Sequence, residues 1–252
     1  MKSATREEKE QKMTSLLESM FVGRSCTLSR GFLLAQVVAC GLLSYMIYYV
    51  MSFHIIQHNT LIDAMAFYGY YHQHPTNQLI HLFGVPGIQY TSILLLAHLP
   101  LPFLNDYTWA LPVFCFFLIY YLCIDPYCGG ILYIPIIYGM YVSSTKLANA
   151  EHEPKDDKKS DDNRKSSSKS SYRNKVLKYA VYVHLFCWYI QIHIGHKIYE
   201  GNKPALLDSL GTSLTSAPLF AFYELLWFMG VNTSLQDQTQ LAILEYAKSV
   251  SN

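Results

Sequence analysis

The sequence predicts an all-α protein, a polytopic membrane helix bundle of about five to six spans. Composition is the first reason, because 51% of the 252 residues are hydrophobic and only 15% are charged. Charge placement is the second reason. Between Asp63 and Lys146 the only charged residues are Asp106 and Asp125. Apolar stretches of this length with so few charges are typical of helices that lie in lipid.

Changes in composition divide the chain into five segments. The two halves of the bundle, 31–145 and 176–230, flank a segment at 146–175 that holds nine Lys or Arg and six Asp or Glu residues. That segment has too few apolar side chains to fold and is predicted to be a disordered loop. A charged N-terminal tail, 1–30, and a C-terminal tail, 231–252, complete the division. Since no basic patch lies on a foldable surface, nucleic-acid binding is not expected.

The predicted spans are the uncharged runs, and the residues between them are assigned to turns or to the membrane interface. A helix at 61–71 is predicted to lie in the interface, and 100–107 is predicted to be a turn. Lys and Arg are concentrated in 1–30 and 146–178, which places both segments on the cytosolic side. The start of the second span and the end of the fifth then share one face. The six predicted spans are 31–53, 77–99, 108–124, 128–144, 176–195 and 209–230.

Two stretches, 67–86 and 184–200, place histidines at or near the ends of apolar spans. Placing an imidazole in such a position costs free energy, so a histidine found there is expected to have a functional role. Asn77 and His81 are four residues apart and therefore project from one side of a helix, as do His196 and Glu200. The sequence predicts that the two stretches meet. The histidines expected to form a site are His72, His81, His184 and His196.

Clustered neutral imidazoles suit divalent iron, zinc or copper. Two to four histidines with a carboxylate and open positions are the ligand set of non-haem iron oxygenases. His184 lies 12 residues before His196, so both can bind one ion only if the helix is broken or the site holds two metals. A structural role and a ligand role are equally expected for His74 and His193. Structural roles are expected for the others, His54, His58, His98 and His152.

Two acids are interpreted as supporting groups. Glu224 lies inside the sixth predicted span and must be paired or protonated there. Asp208 lies before that span, where it could equally mark a helix terminus. Several familiar motifs are absent, namely HExxH, GxSxG, the Walker loop, GxGxxG and the histidine boxes of membrane desaturases. Their absence removes the commonest alternative classes of membrane enzyme.

The histidine stretches resemble two motifs of the 2-hydroxy fatty acid dioxygenases, a small family of membrane proteins. The resemblance covers about 60–145 and 176–230, and Pro218 and Glu224 also fit it. The first motif is present as Tyr71-His72, Asn77, His81, Gly84 and Pro86. The second motif is present as His184, Trp188, Gln191, Gly195-His196, Glu200 and Pro204-Ala205-Leu206.

The resemblance implies iron(II)-dependent alpha-oxidation in the endoplasmic reticulum membrane, in the pathway from phytosphingosine to odd-numbered fatty acids. A long-chain 2-hydroxy fatty acid would react with dioxygen and become one carbon shorter. Asn77 and Gln191 would orient ligands or the substrate carboxylate, and Glu200 is a candidate further ligand. The expected ligands of Fe(2+) are His72, His81, His184 and His196.

Two alternatives remain open from the sequence. A non-catalytic membrane scaffold or lipid-binding protein would act through the 146–175 loop and would not need the histidines. A zinc-dependent lipid hydrolase on the same scaffold would use the metal to activate water. Dependence on oxygen and ferrous iron distinguishes the dioxygenase from this hydrolase.

Overall fold

The computed structural model describes residue 41 and residues 60–101, 104–149, 162–208 and 210–251. Within these ranges the chain is mainly helical, which confirms the predicted all-α class. The predicted N-terminal tail, 1–30, and the first predicted span apart from Gly41 lie outside the described residues. Seven α-helices are found in the described ranges: α1 (Leu61–Tyr70), α2 (Pro75–Leu96), α3 (Ala110–Ile124), α4 (Gly129–Asn149), α5 (Asp162–Tyr189), α6 (Leu210–Phe228) and α7 (Thr233–Ser251).

Other secondary structure joins these helices. Strand β1 (Pro100–Leu101) pairs antiparallel with β2 (Leu104–Thr108), where the sequence predicts a turn. Helix α5 continues directly into a π-helix, Ile190–Glu200, which ends at Gly201 with a left-handed φ of 65°. A short 3-10 helix, Ala205–Leu207, precedes α6.

Helix α2 lies at the centre of the fold and contacts α4, α5, α6 and the π-helix. His74 is its N-cap, since His74 Nδ1 accepts a hydrogen bond of 3.1 Å from the Thr76 N–H. Pro75 occupies the first turn, where a backbone N–H is not needed. Of the two roles expected for His74, the structure therefore supports the structural one.

Helix α1 is fixed by a cap at its start and by burial along its length. Thr60 Oγ1 accepts a hydrogen bond of 3.2 Å from the Asp63 N–H, the usual N-cap arrangement. Residues 64–69 are buried, and the helix packs against α6 and α7. The helix predicted at 61–71 is thus present, but its neighbours are protein helices.

Two predicted segment boundaries differ from the structure. Helices α4 and α5 both extend into 146–175, because Lys, Arg and Ser allow a helix to continue into a charged stretch. The disordered loop stays a prediction for 150–161, which lies outside the described residues. The predicted C-terminal tail instead contains α7, whose Thr239 and Ile243 are buried four residues apart on one face.

One helix in the described ranges, α2, is long and apolar enough to cross a membrane. Helix α3 is also apolar, but it has only 15 residues. A spanning helix needs about 20 residues. The structure therefore confirms the helical class, whereas the predicted count of five to six spans is not confirmed.

Candidate metal centre

Three histidines from separate elements converge in the interior. His72 follows α1, His81 lies in the second turn of α2, and His196 lies on the π-helix; all three are buried. Their ring centroids are 4.4 Å apart for His72 and His81, 4.7 Å for His72 and His196, and 5.0 Å for His81 and His196. One nitrogen of each ring lies within 4.8 Å of the other two. The predicted meeting of the two histidine stretches is therefore observed.

Backbone carbonyl groups fix the tautomers of two of these rings. His72 Nδ1 lies 2.7 Å from the Tyr68 carbonyl oxygen, and His81 Nδ1 lies 2.9 Å from the Asn77 carbonyl oxygen. A carbonyl oxygen only accepts, so each Nδ1 carries the proton and donates it. In the neutral ring Nε2 then has a free lone pair. This is the arrangement that orients metal-binding histidines in other proteins.

The residues present fit a divalent transition metal. His72 Nε2 and His196 Nδ1 are buried without a hydrogen-bond partner, which is costly for polar atoms in a protein interior. Burial and the nearby imidazoles of His81 and His196 hold the pKa of His72 well below its usual value. Burial also lowers the pKa of His196 to about 4. Both rings are therefore neutral near pH 7, the form that binds metals.

Glu200 does not belong to this group, and its role as a candidate further ligand stays a prediction. Its Oε1 accepts a hydrogen bond of 2.8 Å from the Gln73 N–H. Its Oε2 accepts one of 3.0 Å from the His74 N–H and one of 2.9 Å from Asn77 Nδ2. The carboxylate thus binds the N-terminus of α2, where a negative charge is favourable. It fixes the end of the π-helix against α2.

Asn77 contacts both His81 and Glu200, and its predicted role in orienting ligands or the substrate stays a prediction. Its side chain is fully buried, Nδ2 donates to Glu200, and its carbonyl group orients His81. Gly195 lies so close that a Cβ atom there would be 2.3 Å from Asn77 Oδ1. Only glycine permits this approach of the π-helix to α2.

His184 does not belong to the three-histidine group, and its role as a fourth ligand stays a prediction. Trp188 Nε1 donates to His184 Nε2 at 3.0 Å, so His184 Nδ1 carries the proton and donates to Thr91 Oγ1 at 2.9 Å. Both ring nitrogens therefore have partners in the protein. The helical rise between His184 and His196 separates them, as the sequence spacing already suggested.

Replacing His184 by Phe tests this assignment. Metal content of the purified chain is expected to stay at the wild-type value, because the three-histidine group is untouched. Stability is expected to fall by about 1–2 kcal/mol, because Trp188 Nε1 and Thr91 lose a partner. Metal analysis and chemical unfolding measure the two effects. Loss of metal from the variant would restore His184 to the ligand set.

The remaining predicted residues surround the centre. Gln191 is buried and donates from Nε2 to the Cys187 carbonyl group at 2.9 Å. Asp208 accepts from Tyr71 at 2.5 Å and from Lys203 at 2.6 Å. Glu224 Oε1 is buried without a hydrogen-bond partner. His193, for which two roles were expected, stacks on Tyr189 at 5.3 Å and is not in the three-histidine group.

An apolar cavity of about 230 Å³ adjoins the centre. His72, His81 and His196 line it together with a largely apolar wall. A chain of methylene groups placed there would be removed from water, which is favourable in proportion to its area. Six residues that represent the rest of the wall are Val85, Ile88, Ile93, Trp188, Ala217 and Pro218.

Sequence reasoning missed Tyr68. This buried ring stacks on His72 with centroids 3.9 Å apart and an interplanar angle of 7°, and its carbonyl group orients the same histidine. The four-residue spacing between Tyr68 and His72 was an available signal, because residues at i and i+4 are neighbours on a helix.

Comparison with known proteins gives one family. A family model described as 2-hydroxy-palmitic acid dioxygenase Mpo1-like matches residues 58–229, well over half of the chain. The chain belongs to the Mpo1-like family. The match includes all three histidines of the centre, Asn77 and Glu200, and it confirms the resemblance stated from the sequence motifs.

An individual relative agrees with the Mpo1-like family match. The chain is 27% identical over 172 residues to a protein of Saccharomyces cerevisiae named 2-hydroxy-palmitic acid dioxygenase MPO1. The aligned part is 68% of this chain and 82% of the yeast protein. No solved structure matches the chain.

Proposed function

We propose that this chain is an iron(II)-dependent dioxygenase that carries out alpha-oxidation of long-chain 2-hydroxy fatty acids. The substrate would lose its carboxyl carbon and become a fatty acid one carbon shorter, in the breakdown of sphingoid bases. The observation that carries the proposal is the buried three-histidine group at the wall of an apolar cavity. Membership of the Mpo1-like family supports the substrate class.

The chain's own residues would bind the metal and position the substrate. His72, His81 and His196 would hold the ion, with His72 and His81 using the nitrogen opposite the backbone hydrogen bond. When bound, iron(II) supplies the redox chemistry that dioxygen requires. Asn77 would orient the ligands, with Glu200 holding Asn77 in place. The apolar cavity would exclude water from the acyl chain.

The proposed reaction balances without another reductant. One 2-hydroxy acid and one dioxygen would give one shortened fatty acid, one carbon dioxide and one water. The bond between C1 and C2 breaks, C2 is oxidised from an alcohol to a carboxyl carbon, and dioxygen takes up the electrons. The expected stoichiometry is therefore one dioxygen consumed for each substrate molecule.

We further propose that the protein is a multi-pass protein of the endoplasmic reticulum membrane, built of two bundle halves at 31–145 and 176–230. Large apolar side chains on the outer face of α5 support contact with lipid, because water-exposed patches of this kind are rare on soluble proteins. Tyr179 is 70% exposed, and Leu185 and Phe186 are each 60% exposed.

The proposal is tested with the full chain purified in detergent. Iron-loaded protein is expected to consume 2-hydroxypalmitate and dioxygen in equal amounts and to release pentadecanoate. His72→Ala and His196→Ala are each expected to lower activity at least a hundredfold, because each removes one of three ligands. Activity is measured with an oxygen electrode and by mass spectrometry of the products.

Two outcomes would contradict the proposal. If zinc-loaded protein releases product without oxygen, the chain is a hydrolase. If neither histidine variant alters activity in cells and deletion of 150–161 abolishes it, the chain acts as a scaffold.

A further inference from the structure

A second recess adjoins the apolar cavity at His196. It has a volume of about 380 Å³ and shares Ile192, His196 and Pro204 with that cavity. The remaining residues of its lining come from the π-helix and from the loop that follows it. We call it the basic recess, and its other lining residues are His193, Lys197, Gly201, Asn202 and Lys203.

The charges that face the basic recess are positive. Lys197 and Lys203 line it, and no Asp or Glu does so among the residues that the structure describes. Lys203 Nζ contacts Asp208 Oδ1 at 2.6 Å, and Asp208 Oδ2 accepts from the Tyr71 hydroxyl at 2.5 Å. Asp208 therefore holds Lys203 in place and offsets part of its charge. Lys197 is exposed and forms no ion pair with a described residue.

We propose that the basic recess binds the carboxylate of the substrate, while the apolar cavity holds the acyl chain. Lys197 and Lys203 would attract the carboxylate, and C2 would then lie beside His196, which lines both spaces. This inference rests on the proposed function, and it assigns the direction in which a 2-hydroxy acid lies across the metal centre.

The polarity of the two spaces favours this direction over its reverse. A carboxylate placed deep in the apolar cavity, away from the metal centre at its wall, would lose its hydration without a cationic partner, which is very costly. An acyl chain placed in the open recess would stay in contact with water and lose the benefit of burial. With the carboxylate in the recess, each end of the molecule meets a surface of matching polarity.

The contribution of each lysine is expected to be modest. Lys203 has 55% of its side chain exposed, and pairs between exposed charges are weakened by water and by salt. Removing both positive charges is therefore expected to weaken binding of 2-hydroxypalmitate about tenfold. The effect should shrink at high ionic strength.

Binding is measured on the purified full chain with its metal, under nitrogen so that no turnover occurs. Quenching of tryptophan fluorescence reports occupancy, since Trp188 lines the cavity. The Lys197→Met/Lys203→Met variant is expected to bind 2-hydroxypalmitate about tenfold more weakly and its methyl ester equally well. Lys248→Met, at an exposed lysine on α7, is the matched control and should bind both normally. The Lys197→Arg/Lys203→Arg variant should retain affinity for the acid.

Two results would overturn the inference, namely unchanged affinity for the acid in the double Met variant, or an equal loss of affinity for acid and ester. If the affinity for the acid is unchanged and binding to phosphatidylserine vesicles is weakened, the lysines are assigned to the lipid surface instead. Failure of the proposed function gives a different result, namely no substrate consumption by the iron-loaded wild-type chain in oxygen.

Discussion

Changing Gly195 to Ala is expected to abolish metal binding as completely as removal of a histidine ligand. The added Cβ would lie 2.3 Å from Asn77 Oδ1 and 3.5 Å from His81 Cε1. A contact of 2.3 Å cannot be tolerated, and Asn77 cannot rotate away because it is fully buried and bound to Glu200. The π-helix must therefore move away from α2, which carries His196 away from His72 and His81.

Metal analysis of the purified variant measures this effect. Gly139→Ala is the matched control, since Gly139 also lies in a helix and its added Cβ would meet nothing within 4 Å. The control should keep its metal and gain slightly in stability, because Ala favours a helix over Gly by about 1 kcal/mol. Full metal content in Gly195→Ala would show that the π-helix does not set the position of His196.

Changing Glu200 to Ala is expected to lower the free energy of unfolding by about 3–5 kcal/mol. The carboxylate accepts three hydrogen bonds, from the Gln73 N–H, the His74 N–H and Asn77 Nδ2. A hydrogen bond to a charged group contributes about 1.5–3 kcal/mol, and partial exposure together with non-additivity reduces the sum. Activity should also fall at least tenfold, because Asn77 loses the group that holds it.

Chemical unfolding measures the loss of stability, and oxygen consumption measures the loss of activity. Metal content of the same variant is measured alongside them. Glu245→Ala, at an exposed glutamate on α7, is the matched control and should change stability by less than about 0.5 kcal/mol. Glu200→Gln keeps the shape but loses the charge, so its effects should be intermediate. If Glu200→Ala loses metal with unchanged stability, Glu200 would be a ligand after all.

The sequence was sufficient to predict the helical class, the helix at 77–99 and the meeting of His72, His81 and His196. The helices follow from the uncharged apolar segments. The meeting of the histidines follows from the free-energy cost of placing imidazoles at the ends of such segments. The hydrogen bond between His81 and the Asn77 carbonyl group was also predictable, since Asn77 lies four residues before His81. The Trp188 partner of His184 could have been found in the same way, because the two are four residues apart. The Thr91 partner could not, because it lies on another helix.

Two features of the site depend on backbone geometry that residue types do not encode. The π-helix at Ile190–Glu200 is one, since a run of i to i+5 hydrogen bonds is rare and has no known local sequence pattern. The role of Glu200 is the other. A glutamate near histidines has the composition of a metal ligand, whereas its actual donors include the backbone N–H groups of Gln73 and His74. Any residue type except proline would offer the same groups at those two positions.

The order of the three histidines along the chain has a consequence for biosynthesis. More than a hundred residues separate His81 from His196. Bringing such distant segments together costs chain entropy, and contacts between them form late in folding. A nascent chain that has not yet added the π-helix carries only two of the three candidate ligands. Metal loading is therefore expected to follow translation of the π-helix at Ile190–Glu200, and a preparation that contains incompletely folded chains should contain less metal.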